Sequence, residues 1–459
     1  MLACCQNPLP RYFPLMTEKN DHQRALAVPA SRLARFGRLS TLTAGIAGNM
    51  AVNGVAQLGK GQRPSVRNLL LTPRNITRVA EQLAQMRGAA MKIGQMMSMD
   101  TGDVLPPELA IIMARLRDDA HFMPPAQLKQ VLNAEWPANW LWSFAHFDVR
   151  PIAAASIGQV HRARLKDGTD MAIKVQYPGV AKSIDSDVAN VGALMRMSGL
   201  LPKGFDLQPY LEEGRKQLHE ETDYRREGTQ LTRFRALLAN DPRFVVPKRF
   251  EEWSTQSILA MSHVSGCPIE EMHTAPQDLR NRIMTELIDL TLQELLEFGV
   301  MQTDPNFANY RFQTDSSRIV LLDFGATRDL DPIIVAQYRR LLRAGLAGDT
   351  AAIDKTARDI GFIGSQTKDR HSAQIVRMIG MVFDALKVAP LVEFTNTEMS
   401  QRMQTEGIAL AEDGFVPPPL PIDVLLLQRK FGGMFLLGAR LGAQVDVIAL
   451  LERHLRDLE

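Results

Sequence analysis

Between Gly299 and Asp329 the chain reads GVMQTDPNFANYRFQTDSSRIVLLDFGATRD, and this stretch limits the accessible folds more than any other. Asp304 and Asn309 lie five apart on a loop, and Asp323 follows the apolar run Ile319 to Leu322, which reads as a short buried strand. Between them Thr314-Asp315-Ser316-Ser317 is a turn-forming cluster. The turn makes Asn309 to Phe312 and Ile319 to Leu322 the arms of a hairpin, which brings Asn309 and Asp323 together despite their separation in sequence. An amide and a carboxylate then face one pocket. Hard oxygen ligands of this kind suit Mg²⁺ on phosphates, because the ion keeps most of its waters and takes one or two protein ligands plus substrate oxygens. Asp304 is left as a base.

This layout is similar to the protein-kinase catalytic loop and its D-F-G strand, where one Asp serves the attacking group and an Asn and a later Asp hold metal. Asp and Gly are also common where a strand ends in a turn, so D-F-G by itself decides little; the spacing of Asp304, Asn309 and Asp323 gives it weight. At 459 residues the chain has room for two or three compact units. A formal net charge of +2 supplies no basic field, and no Lys/Arg block is interleaved with aromatics, so nucleic acid is not an expected partner. Three cysteines, Cys4, Cys5 and Cys267, indicate neither a disulfide framework nor a zinc site, and fit a reducing compartment. The opening MLACCQNPLPRYFPLM lacks the basic-then-apolar pattern of a signal peptide, and the expectation is a chain that is not exported.

Leu39 to Gly59 carries no charge, but Gly45, Gly48, Asn49, Asn53, Gly54 and Gln57 make it too polar to span a bilayer. With Arg32, Arg35 and Arg38 upstream, it suits either a membrane surface or ordinary helix packing. Asn75 to Met99 is the clearest helix: Ile76, Val79, Leu83, Met86, Ala90, Ile93 and Met97 form an apolar stripe behind a capping Asn75. Gly88, Lys92, Gln95 and Met99 form a second stripe. On spacing alone Lys92 and Gln95 read as solvated. Asp118 to Trp142 reads as further helix and loop.

From Pro151 the texture changes. Ile157 to Leu165 and Asp170 to Val175 alternate about Lys166-Asp167-Gly168-Thr169, predicting a hairpin with an Asp-Gly turn. Lys174 then lies on a strand between Ile173 and Val175, where an inward lysine needs a partner and an edge-strand lysine would guard against aggregation. Tyr210 to Phe234 reads as helix carrying Glu221, Asp223 and Glu227, and spacing does not choose which carboxylate pairs with a lysine. Val245 to Phe250 and Gln256 to Met261 read as two more strands of the same sheet, followed by a hinge over Ser262 to Pro268. Leu279 to Phe298 is predicted as an apolar helix leading into the Asp304 loop. Beyond Asp329 nearly everything reads helical, broken at Pro417 to Pro421, with Gly432-Gly433 interrupting a final helix over Ile422 to Leu458.

In order along the chain, Lys92-Ile93-Gly94-Gln95, Ala153-Ala154-Ala155-Ser156, Lys174, Glu221-Thr222-Asp223, Glu227, Asp304 to Asn309 and Asp323-Phe324-Gly325 resemble the motifs of the UbiB/AarF family of atypical protein-kinase-like proteins, ubiquinone-biosynthesis branch. The likeness spans roughly residues 70 to 440 by these motifs. It implies an α+β, bilobal kinase-like fold with a small β-rich N-lobe, a helical C-lobe and an added N-terminal K-x-G-Q extension. The corresponding segments are 1–70 (N-terminal extension), 71–150 (helical K-x-G-Q segment), 151–264 (N-lobe) and 265–459 (C-lobe with C-terminal helices).

The resemblance also implies roles. Ala153, Ala154, Ala155 and Ser156 form the nucleotide loop, Lys174 binds phosphates and pairs with Glu227, and Glu221 and Asp223 engage Lys92 across the site with Gln95 beside it. Asp304 is the catalytic Asp, and Asn309 and Asp323 bind Mg²⁺. Two departures from ordinary protein kinases stand out: alanines replace the glycines of the nucleotide loop, and no A-P-E follows Asp323-Phe324-Gly325. The implied function is an ATP- and Mg²⁺-dependent atypical kinase or ATPase, a phosphotransferase supporting ubiquinone biosynthesis with a lipid or small-molecule partner. The alternatives are a small-molecule kinase with a defined acceptor, and a nucleotide-binding scaffold for quinone-biosynthesis enzymes without turnover. Implied partners are those enzymes or lipid and quinone precursors, with a membrane surface and a homodimer left open. The implied location is cytoplasmic and peripheral on the inner membrane in a bacterium, or on the mitochondrial matrix side in a eukaryote.

Overall fold

A computed structural model describes residues 86, 88–90, 92–94, 122–155, 157–197 and 206–456. Ser156, Gln95, the Leu39 to Gly59 stretch and most of the Asn75 to Met99 helix lie outside these described residues. The chain divides into two compact units, one holding the described residues up to Thr232 with Pro247–Val264, the other holding Arg233–Val246 and Ser265–Glu459.

The first unit is built on an antiparallel sheet of β1 (Phe144–Phe147), β2 (Ala153–Ala154), β3 (Gly158–Leu165), β4 (Asp170–Gln176) and β6 (Ile258–Ser262), in the order β1-β3-β4-β6 with β2 on β3. The predicted Asp-Gly turn joins β3 to β4. Gly168 takes φ +91, the left-handed region that glycine enters freely, and Asp167 Oδ1 accepts the Thr169 amide at 2.8 Å. One sheet face is covered by an aromatic cluster. Trp136, at the end of α1 (Pro125–Glu135), stacks at 5.6 Å on Phe144 and meets Trp140 and Trp253 edge-on. Then follow α2 (Val180–Met197), α3 (Gln208–Glu221) and α4 (Tyr224–Leu237).

The second unit carries β5 (Phe244–Val245), β7 (Cys267–Pro268), α5 (Gln277–Gln293), β8 (Val300–Gln302), β9 (Tyr310–Gln313), β10 (Arg318–Leu321) and β11 (Thr327–Asp329). Helices α6 (Pro332–Ala347), α7 (Thr350–Ile360), α8 (Asp369–Val388), α9 (Glu398–Glu412), α10 (Ile422–Leu441) and α11 (Val447–Arg456) follow. A short ribbon of β12 (Leu391–Glu393) and β13 (Gln444–Asp446) ties the last helices together. Its core joins Leu295, Leu296 and Met301 to Leu341, Ala357, Val424 and Leu427, so the apolar faces of α6, α7 and α10 close over the segment before the Asp304 loop.

Three expectations need correction, and the helix expected over Leu279 to Phe298 is present but changes character at its end. The two strands expected in one sheet separate: Phe244–Val245 pairs in parallel with β10 of the second unit, whereas Arg249 forms only a bridge to Met261 on β6. Pro247 stands between them, and proline has no N–H to extend a ladder. The single helix expected over Tyr210 to Phe234 is two, because Asp223 caps a new start with Oδ1 accepting the Arg226 amide at 3.0 Å. The Leu279 to Phe298 helix ends in a π turn, Glu294–Phe298, closed by left-handed Gly299 (φ +60). Finally, α10 runs straight through Gly432-Gly433 and stops instead at left-handed Gly442 (φ +59).

Candidate active site

The first unit places a lysine and a carboxylate together under cover. Strand β4 is interior, with Lys174 opposite Val160 on β3 and Leu259 on β6, which removes the edge-strand explanation for the lysine. An inward lysine on an interior strand requires a counter-charge. Glu227 supplies it from the first turn of α4: Lys174 Nζ donates to Oε1 at 2.7 Å and to Oε2 at 3.0 Å. The ammonium also sits 5.1 Å from the centre of the Tyr224 ring. Of the three helix carboxylates, Glu227 is thus the one that meets Lys174.

Glu221, at the last residue of α3, meets Lys92 instead. The pair is closed and buried on the lysine side, with 5% of the Lys92 side chain exposed against 18% for Glu221. The reading of Lys92 as solvated, which spacing alone favours, is therefore corrected by the structure. Asp223 does not join Lys92, since its carboxylate is used as the cap of α4. Gln176 Nε2 donates to Thr222 O at 2.6 Å, so the end of β4 fixes the link between Glu221 and the Glu227 helix. Ala153 and Ala154 pair with Val160 and Gln159, and the Ala155 amide donates to Gly158 O at 2.8 Å, folding the alanine run onto β3.

The second unit gathers the loop residues. β9 and β10 pair antiparallel with Tyr310 opposite Leu321 and Ile319 opposite Phe312, the hairpin expected from sequence. The Leu322 amide donates to Asn309 O at 3.0 Å, so the backbone that leads to Asp323 is pinned beside Asn309. Asp323 Oδ1 accepts the Gly325 amide at 2.9 Å. Phe324 is buried and tilts against Phe234 at 4.9 Å between ring centres. Among the described residues the Asn309 amide nitrogen is buried without a hydrogen-bond partner, which costs free energy unless the side chain is used by a bound group. The Asn309 Oδ1 and the half-buried Asp323 carboxylate are hard oxygens of the kind that fit a cation on phosphate oxygens, while the Asn309 N–H is a donor suited to an oxygen of the bound group.

Asp304, read from sequence as a base, has a partner that sequence reasoning missed. Arg429 on α10 donates from Nη2 to Asp304 Oδ1 at 2.9 Å. The next residue, Lys430, is buried and donates to Tyr310 Oη at 2.9 Å and to Gln302 Oε1 at 3.3 Å, with Glu294 Oε2 at 3.6 Å. Burial pushes the Glu294 carboxyl up to about 7, partly opposed by Lys430, and pushes the Tyr310 phenol up. The one available signal was an Arg-Lys pair within an otherwise apolar helical run, and such pairs are usually solvated.

A strand lysine held by a helix carboxylate, an Asp-to-Asn loop and a D-F-G hairpin define a protein of the kinase-like class. Residues 115–357 match the ABC1 atypical kinase-like domain, and the chain belongs to that family; it is an atypical kinase. It is 37% identical to the mitochondrial atypical kinase COQ8 of Saccharomyces cerevisiae over 439 residues, covering 95% of this chain and 87% of that one. It is also 37% identical to the mitochondrial atypical kinase COQ8B of Rattus norvegicus, covering 93% and 81%. The Mycobacterium tuberculosis protein Rv3197, solved in complex with erythromycin, superposes with a TM-score of 0.59 at 25% identity, covering 81% of this chain and 93% of that one. Among the described residues no helix is long and apolar enough to cross a membrane.

Proposed function

We propose that this atypical kinase binds ATP with Mg²⁺ and hydrolyses it, or transfers its terminal phosphoryl group to a lipid or small molecule, in support of ubiquinone biosynthesis. The observation that carries the reading is the buried two-point contact of Lys174 with Glu227, which holds an ammonium in one place ready for phosphate oxygens. In this assignment Lys174 binds phosphates, and Ala153 to Ser156 form the loop over them. Asn309 and Asp323 hold the metal, and Asp304 orients the attacking group. Bound Mg²⁺ would neutralise charge on the phosphates. The Lys92 and Glu221 pair, with Gln95 and Asp223 nearby in sequence, restrains protein phosphorylation. Quinone-biosynthesis enzymes and quinone precursors are the partners this reading supplies, and an inner-membrane or matrix-side surface is the setting it favours.

Nucleotide hydrolysis by purified full-length protein, with and without anionic liposomes and quinone-like phenols, tests the assignment. Turnover that rises with lipid or phenol and is lost in Asp304→Asn is the expected result. Nucleotide binding without turnover under every condition would leave the scaffold alternative standing. Stoichiometric labelling of one added phenol would instead favour the small-molecule kinase.

A further inference from the structure

Helix α10 lies beyond the residues that match the kinase-like domain, yet it holds the Asp304 loop at several points. Arg429 reaches Asp304 Oδ1 at 2.9 Å with 8% of its side chain exposed. Lys430 binds Gln302, two residues before Asp304, and Tyr310, the residue after Asn309. One turn further on, Gly433 stands directly against Pro305: an added Cβ would lie 2.1 Å from the proline Cβ, so helix and loop are in full contact there. Arg429 and Gly433 occupy i and i+4 positions on one face of the helix, and Lys430, three before Gly433, lies on the adjoining side. The face is fitted to the loop.

We infer that Arg429 is a positioning residue for the reaction, resting on the reading of Asp304 as the catalytic Asp. Its guanidinium fixes one carboxylate oxygen, and among the described residues the other oxygen has no hydrogen-bond partner, so it remains available to an attacking hydroxyl or water. Arginine suits this role because its planar fork stays charged and orients a carboxylate, whereas a mobile carboxylate would lose the alignment on which phosphoryl transfer depends. The Lys430 contacts keep the loop backbone in place so that Arg429 meets Asp304 and not solvent. The atypical catalytic loop is thus completed from the C-terminal helices.

The test compares full-length wild type, Arg429→Met, Arg429→Lys, Asp304→Asn and the Arg429→Met/Asp304→Asn double variant in MgATP hydrolysis, with nucleotide affinity measured separately by fluorescence. Arg429→Met is expected to lower kcat by about tenfold to a hundredfold while KM and nucleotide affinity stay within about twofold. Arg429→Lys should recover part of the loss, and the double variant should be no slower than Asp304→Asn alone. Gly433→Ala supplies an independent arm should Arg429→Met fail to fold: it favours helix, yet pushes on Pro305, and should likewise lower kcat with nucleotide affinity kept. A wild-type kcat in Arg429→Met or Gly433→Ala, or losses that multiply in the double variant, would overturn the inference. A wild-type rate in Asp304→Asn would overturn the catalytic reading of Asp304 itself, and the inference with it.

Discussion

At the scale of single residues, the Lys174–Glu227 and Lys92–Glu221 pairs separate stability from function. The Glu227 side chain is 2% exposed, so removing Lys174 takes the two-point ammonium contact from a buried carboxylate, and breaking a buried pair in this way costs up to about 3–5 kcal/mol. Lys174→Met should therefore lower both the melting temperature and nucleotide affinity. The double variant Lys174→Met/Glu227→Gln should regain most of the melting temperature without regaining nucleotide affinity, and recovery of both would mean that the pair is structural only. Lys92 differs because Glu221 keeps some contact with water, so Lys92→Ala should cost less than a fully buried pair. Its expected signature is functional: self-phosphorylation should rise, or the preference between ATP and ADP should change, and Asp304→Asn in the same background should abolish the gain. Asp323→Asn should weaken Mg²⁺-dependent nucleotide binding; a binding curve unchanged across a Mg²⁺ titration would remove the metal role. Much of this was readable, since Asp304, Asn309 and Asp323 announce themselves by spacing. The choice among Glu221, Asp223 and Glu227 was not. It depends on the break at Thr222-Asp223, which sends Glu221 and Glu227 onto different helices and leaves Asp223 to cap the second.

At the scale of elements, the segments that sequence located best were those with strong local signals: the β3–β4 hairpin by its Asp-Gly turn and the β9–β10 hairpin by its polar turn between apolar arms. Those it missed are settled by partners far away in the chain. Phe244–Val245 joins β10 rather than the strands near it in sequence, and α10 keeps its helix through two glycines because Gly433 packs on Pro305. The π turn Glu294–Phe298 has the same character. It buries Glu294 against Lys430, a contact between residues that no local pattern connects. A pH dependence follows. In the unfolded chain Glu294 ionises near its ordinary carboxyl value, whereas in the folded protein burial holds it protonated up to about 7. The unfolded state therefore releases this proton first, and the contribution present in acid is lost as pH rises towards 7. Glu294→Gln cannot ionise, so its melting temperature relative to wild type should climb between pH 5 and pH 7 and level off above. A constant difference across that range would show that Glu294 is already ionised in the folded protein.

At the scale of the whole molecule, the feature with most consequence is how little chain separates the D-F-G turn from the next helix. After Phe324 and Gly325, β11 returns at Thr327–Asp329 to pair with β8, Asp331 accepts the Ile333 amide at 2.8 Å as a cap, and α6 begins at Pro332. Arg233 further ties Asp329 down at 2.6 Å. A segment that pairs, caps and turns helical within a few residues has no free length to bed an extended peptide, which normally docks along backbone or in side-chain pockets over several residues. The second unit then runs on into α6 to α11, and α6, α7, α8, α10 and α11 share one apolar core with Leu295, Leu296 and Met301, the segment that leads into the Asp304 loop. An acceptor for this architecture should be small or lipidic. In a competition with labelled ATP, full-length protein should leave a mixed peptide library unlabelled while its hydrolysis rises with liposomes carrying quinone-like phenols, and the rise should vanish in Asp323→Asn. Efficient labelling of peptides by the wild-type chain, with hydrolysis indifferent to lipid and phenol, would show that the short segment does admit an extended substrate and that the reading of a lipidic or small-molecule acceptor is wrong.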